Sequence, residues 1–230
     1  MPFSVRSVLQ DGIDWIQSSN SITLIAIFTG LFVGFEYLMS YASSSLISIG
    51  VSVSPAQFTV TGGTWLAIIL GIIAVLIMIG ASIVAIRIVT LEDDTIIPEE
   101  SYRSGIGRAI LSMIGAGVLF VLATMIGSVF LLIPGLFILI SCFMYGFAVA
   151  VEGHGPIAAL KHSWGLARGN RLRLLVLLVI LFVLNGVLSM GPAYLGLDII
   201  GTIGMSIGMI YSMAVVSSVY LELGGDRYEH

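Results

Sequence analysis

The stretch 151–175, VEGHGPIAALKHSWGLARGNRLRLL, carries Glu152, His154 and His162, the only set of ligand-type side chains that could be grouped as a metal cluster. Zinc sites built from local segments repeat their ligands at the intervals of a turn or of one helix face. The spacing here follows neither, and the single cysteine, Cys142, lies inside an apolar run. No metal site is therefore expected, and no intrachain disulfide. Glu152 is expected instead to order the Gly-rich turn beside it. No nucleophile elbow, phosphate-cradling glycine loop or metalloprotease signature occurs. The sequence thus offers no catalytic residue, no cofactor-binding residue and no cofactor, and an enzymatic role is not expected.

Two other acids fall in apolar runs, where a charge at mid-bilayer costs several kcal/mol and usually has a function. Glu36 lies three-quarters of the way along the first run, with Ser40 and Ser43 on its face, and Asp198 begins the last. Both sit toward one end of their run, within reach of water or headgroups. A wetted span end is the plainer reading, and a proton- or cation-linked polar site the sharper one. Gly30 and Gly34 form a small-xxx-small pair, and Gly201, Gly204, Gly208 and Ser212 form a longer stripe one turn below Asp198. Small residues let helices approach closely where lipid provides no hydrophobic drive, so both stripes are expected at helix contacts. An oligomer interface or a substrate path along the second stripe are the alternatives.

The elements that hold these residues follow from composition. The chain is 58% hydrophobic and only 10% charged, with a mean hydropathy of +1.10, whereas soluble domains carry about 25% charged residues. A chain so poor in polar groups has nothing with which to cover a water-facing surface. Several of its runs exceed the ~18 apolar residues that mark a membrane span. Net charge is −4, so no global basic field favours nucleic acid. The expected fold is all-α: a polytopic membrane protein with six transmembrane helices and two cytoplasmic interfacial amphipathic helices in a single membrane domain over 1–230. Residues 1–20 are read as an interfacial helix, 21–152 as spans one to four, 153–171 as the second interfacial helix, 172–222 as spans five and six, and 223–230 as a tail.

The spans are placed at about 21–42, 64–88, 107–132, 136–152, 172–190 and 197–221. The third and fourth are divided at IPG, 133–135, where Pro134 removes a donor and Gly135 permits a turn conformation. MGPAYLG at 190–196 reads as a second turn of that kind. With the N-terminus inside, all nine basic residues fall on inner segments and none on the outer segments 43–63, 133–135 and 190–196. Positive charge near span ends sets orientation, so both termini are expected in the cytoplasm of a cell whose plasma membrane holds the chain. Arg6, Asp11 and Asp14 before the first run do not make a basic leader, so no cleaved signal is expected. The outer loop 43–63 reads as a short hairpin or cap, and the acidic inner loop LEDDTIIPEESYRS as a solvated connector.

Charge gathers in 151–175 because that segment is read as lying on the inner membrane surface. Pro156 suits a first helical turn, and GN at 169–170 a stop. Ile157, Leu160, Trp164 and Ala167 share a stripe that Lys161 and Arg168 flank. Such a helix buries its stripe in the acyl boundary while its basic groups snorkel to phosphates. Near the N-terminus Val5, Val8, Leu9, Gly12, Ile13 and Ile16 form a like face with Trp15 at its edge. If the two amphipathic helices are neighbours, Asp11 and Asp14 are placed to pair with Lys161 and Arg168. Trp15, Lys161, Trp164, Arg168, Arg171 and Arg173 are the expected lipid- or partner-binding residues, although ordinary topology-setting charge also accounts for them.

Residues 134–170 resemble the hallmark region of a group of small prokaryotic membrane proteins. The group includes the membrane domain attached to some glycerophosphodiester phosphodiesterases and a set of stand-alone inner-membrane proteins. The resemblance rests on Pro134–Gly135, on Glu152–Pro156, on the Ala159–Trp164 helix and on Arg168–Asn170. It implies a fold and a membrane, since the phosphodiesterase chemistry of fused members resides in a separate soluble domain. The expected function is a non-enzymatic membrane component that binds membrane lipids or partner proteins through its cytoplasmic helices. The partner could be a second copy of the chain. The alternative is a small transporter or channel using Glu36, Asp198 and the Gly-rich face of span six.

Overall fold

The computed structural model describes residues 4–47, 62–90, 105–130, 132–194 and 196–224. Within them every regular element is a helix: α1 (Val5–Ile16), α2 (Ser19–Ile47), α3 (Gly62–Thr90), α4 (Ile106–Phe130), α5 (Leu132–Cys142), α6 (Tyr145–Ala150), α7 (Pro156–Leu166), α8 (Arg171–Tyr194) and α9 (Asp198–Glu222). Five of them, α2, α3, α4, α8 and α9, are long and apolar enough to cross a membrane, and Pro134–Ala150 is a shorter apolar segment. The acidic loop 91–104 and most of the 43–63 loop and of the C-terminal tail lie outside the described residues; 43–47 continue α2.

The central element is α9. Over half of its apolar window, 56%, is buried, against 17–22% in the other four long helices. Helices α1, α2, α3 and α8 pack around it, while α4 through α7 form a second group joined to the first through α3, α6 and α8. Val8, Ile83, Met144, Phe147, Leu177, Val215 and Tyr220 make the shared core. The outer faces are apolar instead of polar: Ile72 and Ile77 on α3, Met125 on α4, Phe182 and Val187 on α8 are all exposed, Phe182 by 81%. A belt of exposed side chains of this kind is unstable in water and stable in hydrocarbon, which gives composition its structural meaning.

Helix α1 uses its apolar face on the protein itself. Gly12 presses against α9 so closely that a Cβ there would come 2.4 Å from Val215 Cγ2. Tyr211 Oη donates to the Leu9 carbonyl at 3.1 Å. Val5, Leu9 and Ile16 pack against the core while Ile13 is exposed. Trp15 likewise packs inward, beside Leu24 and Phe28.

The turn between α4 and α5 falls at the expected place for a different reason. Gly135 lies in the first turn of α5 and has no positive φ. It is required for close approach, because a Cβ there would reach 2.1 Å from Ser128 Oγ. The expected fourth span is two helices broken at Phe143 and Met144. Pro192 lies inside α8, and the turn into α9 comes later, at Gly196 with φ +73°. Pro156 at the start of α7 and Gly169, φ +84°, after its end agree with the sequence reading.

Candidate functional site

Glu152, His154 and His162 meet at one end of the bundle, although their sequence spacing gave no reason to expect it. The turn after α6 brings them together. Gly153 has φ +66°, a conformation that L side chains resist, and the His154 N–H donates to the Ala148 carbonyl at 3.2 Å. With the backbone turned this way, His154 Nδ1 lies 2.8 Å from Glu152 Oε2. His162, near the middle of α7, places Nε2 3.3 Å from the other carboxylate oxygen. The two imidazoles stack with centroids 5.2 Å apart. Tyr220 Oη, from the last turn of α9, donates to Glu152 Oε1. Arg87, at the end of α3, donates Nε to the Ala150 carbonyl at 2.7 Å on the same turn. The turn itself, α7 and α9 therefore converge on this carboxylate, whose side chain is only 9% exposed, while α3 holds the turn's backbone.

Helix α7 is turned differently from the amphipathic reading. Its inward face is Ala159 and Ser163, both fully buried, while Ile157 is 62% exposed. Ser163 Oγ donates to the Ser141 carbonyl and accepts from the Met144 N–H, each at 3.1 Å. It thereby binds α7 to the break between α5 and α6. The α7 surface facing outward carries Ile157, Lys161 and Gly165 at helical spacing, all exposed, and exposed Arg168 follows just past the helix end. An open apolar groove of about 540 Å³ runs between α4 and α7, lined by Val118, Leu119, Pro156, Ile157 and Ala158 among others.

The residues expected to bind lipid or partners divide into two groups. Lys161, Arg168 and Arg173 are exposed. Arg171 and Trp164 are held within the protein: the Arg171 guanidinium lies 4.0 Å over the Phe137 ring and 5.1 Å over Trp164, and its Nε donates to Ser141 Oγ at 3.1 Å. Planarity lets Arg stack and hydrogen-bond at once, so this side chain joins α8 to α5 and α7. No ion pair connects Asp11 or Asp14 with Lys161 or Arg168.

Toward the other end, Glu36 accepts long hydrogen bonds from Thr202 Oγ1, at 3.3 and 3.4 Å. Thr202 follows Asp198, the first residue of α9, by one helical turn. Gly204 and Gly208 do sit at a contact, a Cβ on them meeting the Leu188 carbonyl oxygen at 2.2 Å and Asn185 Oδ1 at 2.5 Å, and Gly201 is buried. Gly30 and Gly34, expected to pack in the same way, face open space, with nothing within 4 Å of an added Cβ. A glycine pair spaced for packing has no contact unless the fold supplies a neighbour. Asn185 donates Nδ2 to Ser212 Oγ and to the Leu181 carbonyl, each at 2.8 Å.

Sequence reasoning passed over Tyr220, Ser163, Ser141 and Thr202. Their only signal was a polar group within an apolar helix, a weak one because a hydroxyl can always bond its own preceding turn. Comparison with curated proteins and with solved structures finds no match. One family profile spans residues 3–223, nearly the whole chain, and its description is a domain of unknown function. The chain belongs to that family, DUF7847.

Proposed function

We propose that the protein is a non-enzymatic component of the plasma membrane that retains anionic phospholipid at its cytoplasmic end. One observation carries the reading. Ile157 and Ala158 of α7 line the apolar groove, exposed Lys161 follows one turn on, and exposed Arg168 lies just past the end of the helix. A groove of that size accommodates part of an acyl chain, and the exposed cations further along the same segment match a phosphate headgroup. In the six-span scheme the described basic residues Arg6, Arg87, Arg108, Lys161, Arg168, Arg171 and Arg173 all fall on or beside the cytoplasmic ends of the helices. Pro134–Ala150, broken in the middle, serves as the fourth crossing in that scheme. The resemblance of residues 134–170 to the membrane domain of some glycerophosphodiester phosphodiesterases is consistent with it.

Transport along the α9 glycine face is less well supported, because Leu188 and Asn185 of α8 cover Gly204 and Gly208. The lipid reading is tested by native mass spectrometry of the full chain from vesicles of mixed phosphatidylglycerol and phosphatidylcholine. Wild type is expected to retain the anionic lipid preferentially, and Lys161→Gln/Arg168→Gln to lose most of that preference. Equal retention by the two proteins would contradict the proposal.

A further inference from the structure

We propose that Glu152, His154 and His162 form a binding site for one first-row divalent cation of the zinc class. Three donor atoms, one from each side chain, lie within 4.8 Å of one another. Ligands about 2.0–2.2 Å from a tetrahedral ion stand about 3.3–3.6 Å apart. The two imidazole nitrogens stand 2.8 and 3.3 Å from the two different oxygens of the Glu152 carboxylate, close to that edge length.

The second observation is electronic. His154 Nδ1 and His162 Nε2 are buried atoms that complete no hydrogen bond, even though both face the carboxylate. A nitrogen lone pair facing an anionic oxygen repels it, so each of these contacts needs a proton or a cation between the atoms, and one bound cation would serve all three donors at once. A buried polar atom without a hydrogen-bond partner calls for such an explanation. The imidazole–imidazole–carboxylate set suits Zn²⁺ and its neighbours better than Mg²⁺ or Ca²⁺, which prefer oxygen shells.

The surroundings fit. Glu152 is oriented by Tyr220, as metal-bound carboxylates usually are by an outer hydrogen bond. The donor nitrogens are buried while the His side chains as a whole remain 37% and 29% exposed, which puts the cluster just beneath the protein surface. Binding would fasten the 152–155 turn to α7 and, through Tyr220, to α9. This role is separate from lipid retention, since Lys161 and Arg168 take no part in the cluster.

The test uses untagged full-length protein in detergent, stripped with chelator and titrated with Zn²⁺, with Co²⁺ as a spectroscopic probe. Expected are one Zn²⁺ per chain, a raised unfolding midpoint, and for Co²⁺ the visible absorption of a four- or five-coordinate ion. His162→Gln and Glu152→Gln should each weaken binding at least tenfold, while His230→Ala, which alters the chain's one other histidine, should leave it unchanged. Both cluster variants are compared with wild type by circular dichroism, and binding is scored on folded protein. Absence of stoichiometric Zn²⁺ in folded wild type would overturn the site. So would binding that survives His162→Gln, or that depends on His230.

Discussion

A glycine in this chain matters according to what stands opposite it. Gly204 and Gly30 are both spaced for helix packing, but a Cβ at 204 would meet the Leu188 backbone, and one at 30 would meet nothing. Gly204→Ala is therefore expected to lower stability by about 1–3 kcal/mol, the usual cost of overpacking. Gly30→Ala should be neutral, or stabilising by up to about 1 kcal/mol through helix propensity. Thermal unfolding in detergent distinguishes them, and equal shifts would show that the α8–α9 contact is wrongly placed. The same scale explains what could not be read from the sequence. Residue types at 152, 154 and 162 were visible there, but their convergence depends on one left-handed glycine and on α7 folding back over the turn. Neither leaves a periodic mark, so spacing alone argued against a cluster that the fold assembles.

At the scale of elements, breaks and joints decide the architecture. Pro134, Pro156 and Gly169 marked helix boundaries legibly because proline and glycine act on the backbone whatever surrounds them. The break at Phe143–Met144 carried no such residue. It is held from a distance by Ser163, whose hydroxyl receives the Met144 N–H. Ser163→Ala removes that acceptor in a fully buried place and is expected to cost about 1–3 kcal/mol, seen as a lower unfolding midpoint. An unchanged midpoint would mean that the break stands without α7. Arg171 is the second joint. Arg171→Lys keeps the charge and loses the flat face set against Phe137 and Trp164, for an expected loss of about 0.5–2 kcal/mol. Its lipid retention should stay at the wild-type level, in contrast to Lys161→Gln/Arg168→Gln. The inward face of α7 was misread because an apolar stripe was assumed to face lipid, whereas small Ala159 and Ser163 allow the closer approach to protein.

For the whole molecule, hydropathy was the most readable property. The long helices fall within a few residues of the runs that composition marked, since twenty apolar residues have few alternatives to a helix. Which helix occupies the centre was not legible: α9 has no more apolar residues than α3, and it is central because its glycines, serines and Tyr211 let four neighbours approach. Orientation across the membrane is the claim on which the lipid proposal stands, and it rests on the gathering of basic residues at one end. Cysteine accessibility measures it directly. In a Cys142→Ala background, Gly165→Cys on the outward face of α7 and Leu197→Cys at the α8–α9 turn are treated in intact cells with a membrane-impermeant maleimide. Labelling is expected at position 197 in intact cells and at position 165 only after lysis. Labelling of position 165 in intact cells, or of both positions alike, would contradict the account.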